Sequence, residues 1–244
     1  MKRYFIEISY NGELYHGWQV QPNAISVQEE IEMVLTRLNS NSKVDIVGCG
    51  RTDAGVHAYH YIFHVDLDLK VTFSDFLFKA NKMLSENISF HNIYEVEDEK
   101  HARFSAKKRT YRYFIHNKKN PFKHNLSWYN PKSFNLEKMN EAASFLIGTK
   151  DFTSFSKVNT DVKTNICTVY EAKWISVNEN EYYFEISADR FLRNMVRATV
   201  GTLLEVGIGN IEPSKIETIL ELKDRGEAAL SVPAHGLFLW EIIY

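Results

Sequence analysis

The chain opens on an alternation of apolar and polar positions. Tyr4, Ile6, Ile8 and Tyr10 lie on one side, Glu7 and Ser9 on the other, and Asn11-Gly12 follows. That period of two predicts a half-buried strand ending in a turn. The period then changes: Ser26-Val27-Gln28-Glu29 has the form of a capping box, and Val27, Ile31, Val34, Leu35 and Leu38 recur at helical spacing, so a helix is predicted over 27–38. Strands are predicted over 44–47 and 59–65 around a glycine-rich turn at 48–55, then a helix over 75–84 and a strand over 88–96.

The second half begins with a long predicted strand, 104–116, in which Tyr111, Tyr113 and Ile115 share one face and Arg112 and Phe114 the other. A loop with Pro121 and Pro131 follows. Leu136, Met139, Ala143, Leu146 and Ile147 predict a helix stopped by Gly148, and 167–177 with 182–187 predict a hairpin around Asn178-Glu179-Asn180. A long helix is predicted over 190–206, ended by Gly207, then a helix signalled by Ser214-Lys215-Ile216-Glu217 and a last strand over 237–243. Each half reads as helices laid on a mostly antiparallel sheet. The fold class is α+β, divided at 1–104 and 105–244, without the βαβ alternation or glycine motif of dinucleotide-binding folds.

Composition adds limits. Of 244 residues, 44% are hydrophobic and 25% charged, which excludes wholesale disorder. The two cysteines, Cys49 and Cys167, form neither a disulfide framework nor a structural zinc pattern, and no apolar run reaches the ~18 residues of a membrane span. A cytoplasmic protein with no membrane partner is expected.

The formal net charge of -2 argues against a polyanion partner until its distribution is considered. From 100 to 134 there is no acidic residue, yet ten of the 29 cations lie there: Lys100, Arg103, Lys107, Lys108, Arg109, Arg112, Lys118, Lys119, Lys123 and Lys132. Phe104, Tyr111, Tyr113, Phe114, Trp128 and Tyr129 are interleaved with them. A solvated basic face would need no such rings, whereas a nucleic acid offers both phosphates and stackable bases.

Candidate chemistry concentrates at Gly48-Cys49-Gly50-Arg51-Thr52-Asp53-Ala54-Gly55-Val56-His57. A tight turn in which Asp53 caps backbone amides is one reading; the other is a carboxylate beside a cation, kept ionised as nucleophile or base. A metal reading of His57, His60 and His64 fails on geometry, because on a strand His57 points away from the face shared by His60, His64 and Asp66. Arg190, Arg193 and Arg197 fall at i, i+3 and i+7 of the predicted long helix and are expected to line one stripe facing an anion or an internal carboxylate.

The stretch from Gly50 to Ala58 resembles the signature of the tRNA pseudouridine synthase A family. The likeness continues through Tyr10-Asn11-Gly12, Gly17-Trp18-Gln19, His101-Ala102-Arg103-Phe104-Ser105-Ala106, Tyr111-Arg112-Tyr113, 148–155, 191–201 and 233–237. The resemblance implies that Asp53 is the catalytic aspartate, Tyr111 the tyrosine that stacks on the target base, Arg197 the partner of the aspartate, and Arg51 the cation that holds a flipped-out nucleotide. It further implies a cofactor-free homodimer whose subunits have two similar halves flanking a cleft. The implied reaction is isomerisation of uridine at positions 38 to 40 of the tRNA anticodon arm.

The residues suit that chemistry. Conversion to pseudouridine breaks a C–N glycosidic bond, turns the base and makes a C–C bond, so it needs a carboxylate near an electron-poor carbon and neither a metal nor a redox agent. Asp53 has three routes: attack on the ring, attack on C1′, or removal of a sugar proton. Lys107, Lys108, Arg109, Arg112, Arg190 and Arg193 are the further candidate RNA contacts. A non-catalytic RNA-binding protein would use the same residues except Asp53, and a metal-dependent nuclease would use the histidines.

Overall fold

The computed structural model describes residues 1–158 and 162–244. They form a mixed α/β fold of mostly antiparallel strands with five α-helices, in two compact units, 1–107 with 238–244 and 108–237. The closing strand, which chain order groups with the second half, thus lies in the first unit. Among the described residues no helix is long and apolar enough to cross a membrane.

In the first unit, strand β1 (Lys2–Tyr10) is central. It pairs antiparallel with β3 (His57–Leu67) and with β4 (Ile88–Val96). The closing strand β10 (Leu237–Ile243) runs parallel to β3, Phe238 opposite His57. Helix α1 (Val27–Leu38) buries Val27, Ile31, Val34 and Leu35, and Ser26 caps it by accepting the Glu29 amide at 3.2 Å, as the capping-box pattern requires. Helix α2 (Phe73–Met83) is capped in the same way by Thr72 and packs on β4.

The expected strand over 44–47 shrinks to β2 (Val47–Gly48), which pairs with β3. The amides of Val44 and Ile46 are taken instead by Thr36 Oγ1 at 3.1 Å and Glu32 Oε1 at 3.1 Å, side chains of α1. With those donors satisfied by a helix, no ladder forms.

In the second unit, β5 (Lys108–His116), β9 (Glu181–Ala188), β8 (Ile166–Asn178) and β7 (Gly148–Asp151) follow in that spatial order, all antiparallel. A short strand, β6 (Trp128–Tyr129), runs parallel to β5. One face holds the buried Tyr113, Ile115, Phe184, Ile186, Val169 and Trp174. Helix α3 (Leu136–Ser144) packs on β8, with α4 (Met195–Gly207) and α5 (Lys215–Leu222) against α3.

Two expectations are corrected here. Strand β5 starts at Lys108 and not at 104, because 101–105 closes a turn in which the Ser105 amide donates to the His101 carbonyl at 2.9 Å. Helix α4 starts at Met195 and not at 190: Asn194 has φ 68, a left-handed backbone that ends any helix approaching from before it.

Candidate active site

The loop between β2 and β3 is built around Thr52. Its side chain is buried, its hydroxyl lies 2.9 Å from that of Tyr10, and its carbonyl accepts the Trp18 amide at 3.2 Å. Arg51, before it, is exposed, and Asp53, after it, is half-exposed. The buried Thr52 thus anchors the loop between these two candidate residues.

The loop is held from the other side by residues 12–17. A Cβ on Gly12 would overlap the Val56 carbonyl, and one on Gly17, at φ +96, the Thr52 carbonyl; both positions require glycine for close backbone approach. The Gly55 amide donates to the Tyr15 carbonyl at 3.3 Å, the Val56 amide to the Asp53 carbonyl at 3.1 Å, and the Tyr61 hydroxyl to the Gly50 carbonyl. The sequence read Tyr10 as a strand residue and Gly12 as a turn, and gave neither these nor Gly17 and Thr52 a part in holding the loop. The available signal was that 10–12 and 17–19 lie among the segments carrying the family resemblance.

Each histidine of β3 accepts a backbone amide through Nδ1: His57 from Gly12 at 3.0 Å, His60 from Ile242 at 3.4 Å, His64 from Ala102 at 3.1 Å. Their tasks are structural, and among the described residues no group of three His, Cys, Asp or Glu side chains could hold a metal. His57 also stacks on Phe238 at 4.5 Å. Burial, reinforced by the charges of Arg3 and His101, lowers the His64 pKa to about 4.

In the second unit Tyr111 is half-buried on β5 opposite Ile186, and the Phe191 ring meets it edge-on at 5.0 Å and 83°. Arg197 lies in the first turn of α4. Its Nε donates to the Val232 carbonyl at 2.8 Å, and the Val232 amide donates back to the Arg197 carbonyl at 3.2 Å. The Tyr113 hydroxyl donates to the next carbonyl, Pro233, at 2.8 Å. Burial raises the Tyr113 pKa strongly, with the Arg197 charge acting against it. The strip 230–233 is thus laid along α4, close enough that a Cβ on Gly201 would overlap the Leu230 carbonyl.

The expected arginine stripe does not exist, because only Arg197 is helical. Arg190 sits in a turn set by Asp189, whose Oδ1 accepts the amides of Arg190 at 2.7 Å and Thr168 at 2.8 Å. Arg193 is exposed just before the left-handed Asn194. Arg109 donates to the Asp189 carbonyl at 2.8 Å. Arg112 pairs with Glu185 at 2.7 Å and lies over the Tyr183 ring at 4.7 Å, while Lys173 approaches the same carboxylate at 3.4 Å. Lys107 is exposed and Lys108 half-buried.

Fold and geometry define a mixed α/β protein that presents a carboxylate and a cation from a glycine-clamped loop. Residues 142–244 match the family model described as tRNA pseudouridine synthase. The chain is 48% identical over 247 residues to a tRNA pseudouridine synthase A of Parabacteroides distasonis, covering all of this chain and 96% of the relative. It is 44% identical to one of Porphyromonas gingivalis, covering 100% and 98%, and 40% identical to one of Bacillus subtilis, covering 97% of each. The chain belongs to the tRNA pseudouridine synthase A family, and with it to the pseudouridine synthases, which are isomerases.

Proposed function

We propose that the chain isomerises uridine to pseudouridine in the anticodon arm of tRNA, at positions 38 to 40, as a cytoplasmic homodimer without cofactor or metal. Asp53 is the catalytic carboxylate, Tyr111 the platform for the displaced base, Arg197 the cation paired with the aspartate, and Arg51 the hold on the flipped nucleotide. Lys107, Lys108, Arg109, Arg190 and Arg193 are assigned to RNA, and Arg112, paired with Glu185 at 2.7 Å, is assigned to the sheet instead. The observation carrying this reading is the full-length similarity joined to a loop that buried Thr52 anchors between Arg51 and Asp53.

The local geometry supports the roles one by one. Phe191 meets the Tyr111 ring edge-on, which holds a flat platform at a fixed angle. Arg197 donates through Nε to the Val232 carbonyl, which anchors its guanidinium, a planar fork suited to a carboxylate. Extrusion of the target base needs both an aromatic platform and a cation. Two buried, unbridged cysteines suit the reducing compartment in which tRNA is processed.

Tritium release from uridine-labelled tRNA anticodon arms tests the reading directly. Asp53→Asn is expected to abolish release while tRNA binding stays within about tenfold, ~1.4 kcal/mol. Turnover near wild type in that variant would sink the assignment, and a wild-type protein that binds tRNA but releases nothing would be a recognition module. Partitioning of a fluorinated uridine substrate separates the three routes open to Asp53.

A further inference from the structure

The turn over 101–105 presents a largely exposed aromatic side chain. Phe104 is 76% exposed. A lone exposed ring is ordinary, but this one stands on a backbone fixed at nearly every residue. The His101 amide donates to Ser105 Oγ at 3.0 Å and the Ser105 amide to the His101 carbonyl at 2.9 Å. His101 Nδ1 accepts the Arg103 amide at 3.1 Å and the Phe104 amide at 3.3 Å. Ala102 donates to His64 at 3.1 Å and accepts from the Tyr244 hydroxyl at 2.6 Å. Over the ring lies the Arg103 guanidinium, 5.5 Å from its centroid, and beside it the His101 ring at 4.4 Å.

An exposed apolar ring on a hydrogen-bonded turn, with a guanidinium over it, has the composition of a base-stacking platform. We propose that the tip Arg103-Phe104 stacks on an unpaired base of the RNA substrate, as a contact additional to the Asp53 loop. The inference rests on tRNA being the substrate. The acidic run Glu97-Asp98-Glu99 lies just before the turn, which itself stands at the start of the acid-free segment 100–134. Stacking therefore carries the contact, and a phosphate clamp does not. Because its amides are already satisfied, the turn loses little freedom when a base arrives.

The test compares wild type, Phe104→Ala, Phe104→Leu and Phe104→Trp in binding to an unmodified tRNA transcript and to a fully paired RNA duplex of similar length. Thermal unfolding checks that each variant is folded, and tritium release by the wild type checks the substrate reading separately. Ala and Leu are each expected to weaken tRNA binding about tenfold with an unchanged salt slope, Trp to bind within about twofold of wild type, and duplex binding to stay constant. Leu covers His101 as Phe does but has no π face. Wild-type affinity in the Leu variant would therefore reduce Phe104 to a cover for His101 and overturn the proposal. Equal losses on the duplex would overturn it too.

Discussion

Thr52 and His64 are buried polar residues of the first unit, and neither has chemistry to contribute. Thr52 anchors the loop between Arg51 and Asp53 through the Tyr10 hydroxyl, and His64 ties β3 to the turn over 101–105 by accepting the Ala102 amide. That task requires an unprotonated Nδ1. His64 is faced by Arg3 and His101, which disfavour its charge, and by Asp66, which favours it but is itself engaged by Arg3 at 2.8 Å. Its pKa is lowered to about 4 from an ordinary 6.5, so between those values the unfolded chain binds the proton and the folded chain does not. Its contribution is complete above pH 6.5 and is lost as pH falls toward 4, with an upper bound of about 3 kcal/mol. His101, lowered mainly by burial, acts in the same direction. Unfolding midpoints measured from pH 7.5 to 5 are expected to fall more steeply for wild type than for His64→Gln, which keeps an acceptor and cannot titrate. Parallel slopes would remove His64 from the pH response. At this scale Asp53 stood out as a candidate because its neighbours form a motif; Thr52 did not, because a threonine between two charges carries no sign of its depth.

Element boundaries were legible where a side chain caps or a period runs unbroken, as in α1 and the hairpin of β8 and β9, and they failed where a distant partner intervened. The reading of 190–206 as one helix followed Leu192, Met195, Val196 and Val200, whose spacing continues across the true boundary. It had no access to Asp189, which gathers the amides of Arg190 and Thr168, or to the left-handed Asn194. The correction bears on Arg197, which stands in the first turn after that break. The Asn194 side chain also donates to Ser231 Oγ at 2.6 Å, tying the start of α4 to the strip whose Val232 carbonyl holds Arg197. Asn194→Gly keeps the φ and loses the side-chain bond, at about 1 kcal/mol. Asn194→Val loses the bond and adds ~1–2 kcal/mol of left-handed strain. Urea midpoints should place Val below both Gly and wild type, and single-turnover rates should follow the same order because Arg197 shifts with the helix start. Equal midpoints for Gly and Val would show that φ at 194 imposes nothing.

For the molecule as a whole, charge is where sequence and structure diverge most. The segment 100–134 contains no acid, and its cations all looked available to RNA. An antiparallel neighbour changes that, because β9 sets Glu185 opposite Arg112 and Glu181 opposite His116, and Glu181 pairs with Lys123. A linear reading counts charges along the chain, whereas register decides which of them are neutralised. Lys107 stands exposed outside that ladder, while the part-buried Arg112 shares Glu185 with Lys173. The two positions should therefore separate in the salt dependence of tRNA binding, where each neutralised phosphate adds roughly 0.7–0.9 to the slope of log K against log salt. Lys107→Ala is expected to reduce the slope by about 1 and leave the unfolding midpoint unchanged. Arg112→Ala should leave the slope nearly unchanged and lower stability by about 1–3 kcal/mol, because Glu185 keeps only the more distant Lys173. Replacing Glu185 by Leu in the Arg112→Ala background should recover part of that loss. If Arg112→Ala flattens the slope as Lys107→Ala does and the midpoint holds, Arg112 contacts phosphate in the complex and the pair with Glu185 opens when RNA binds.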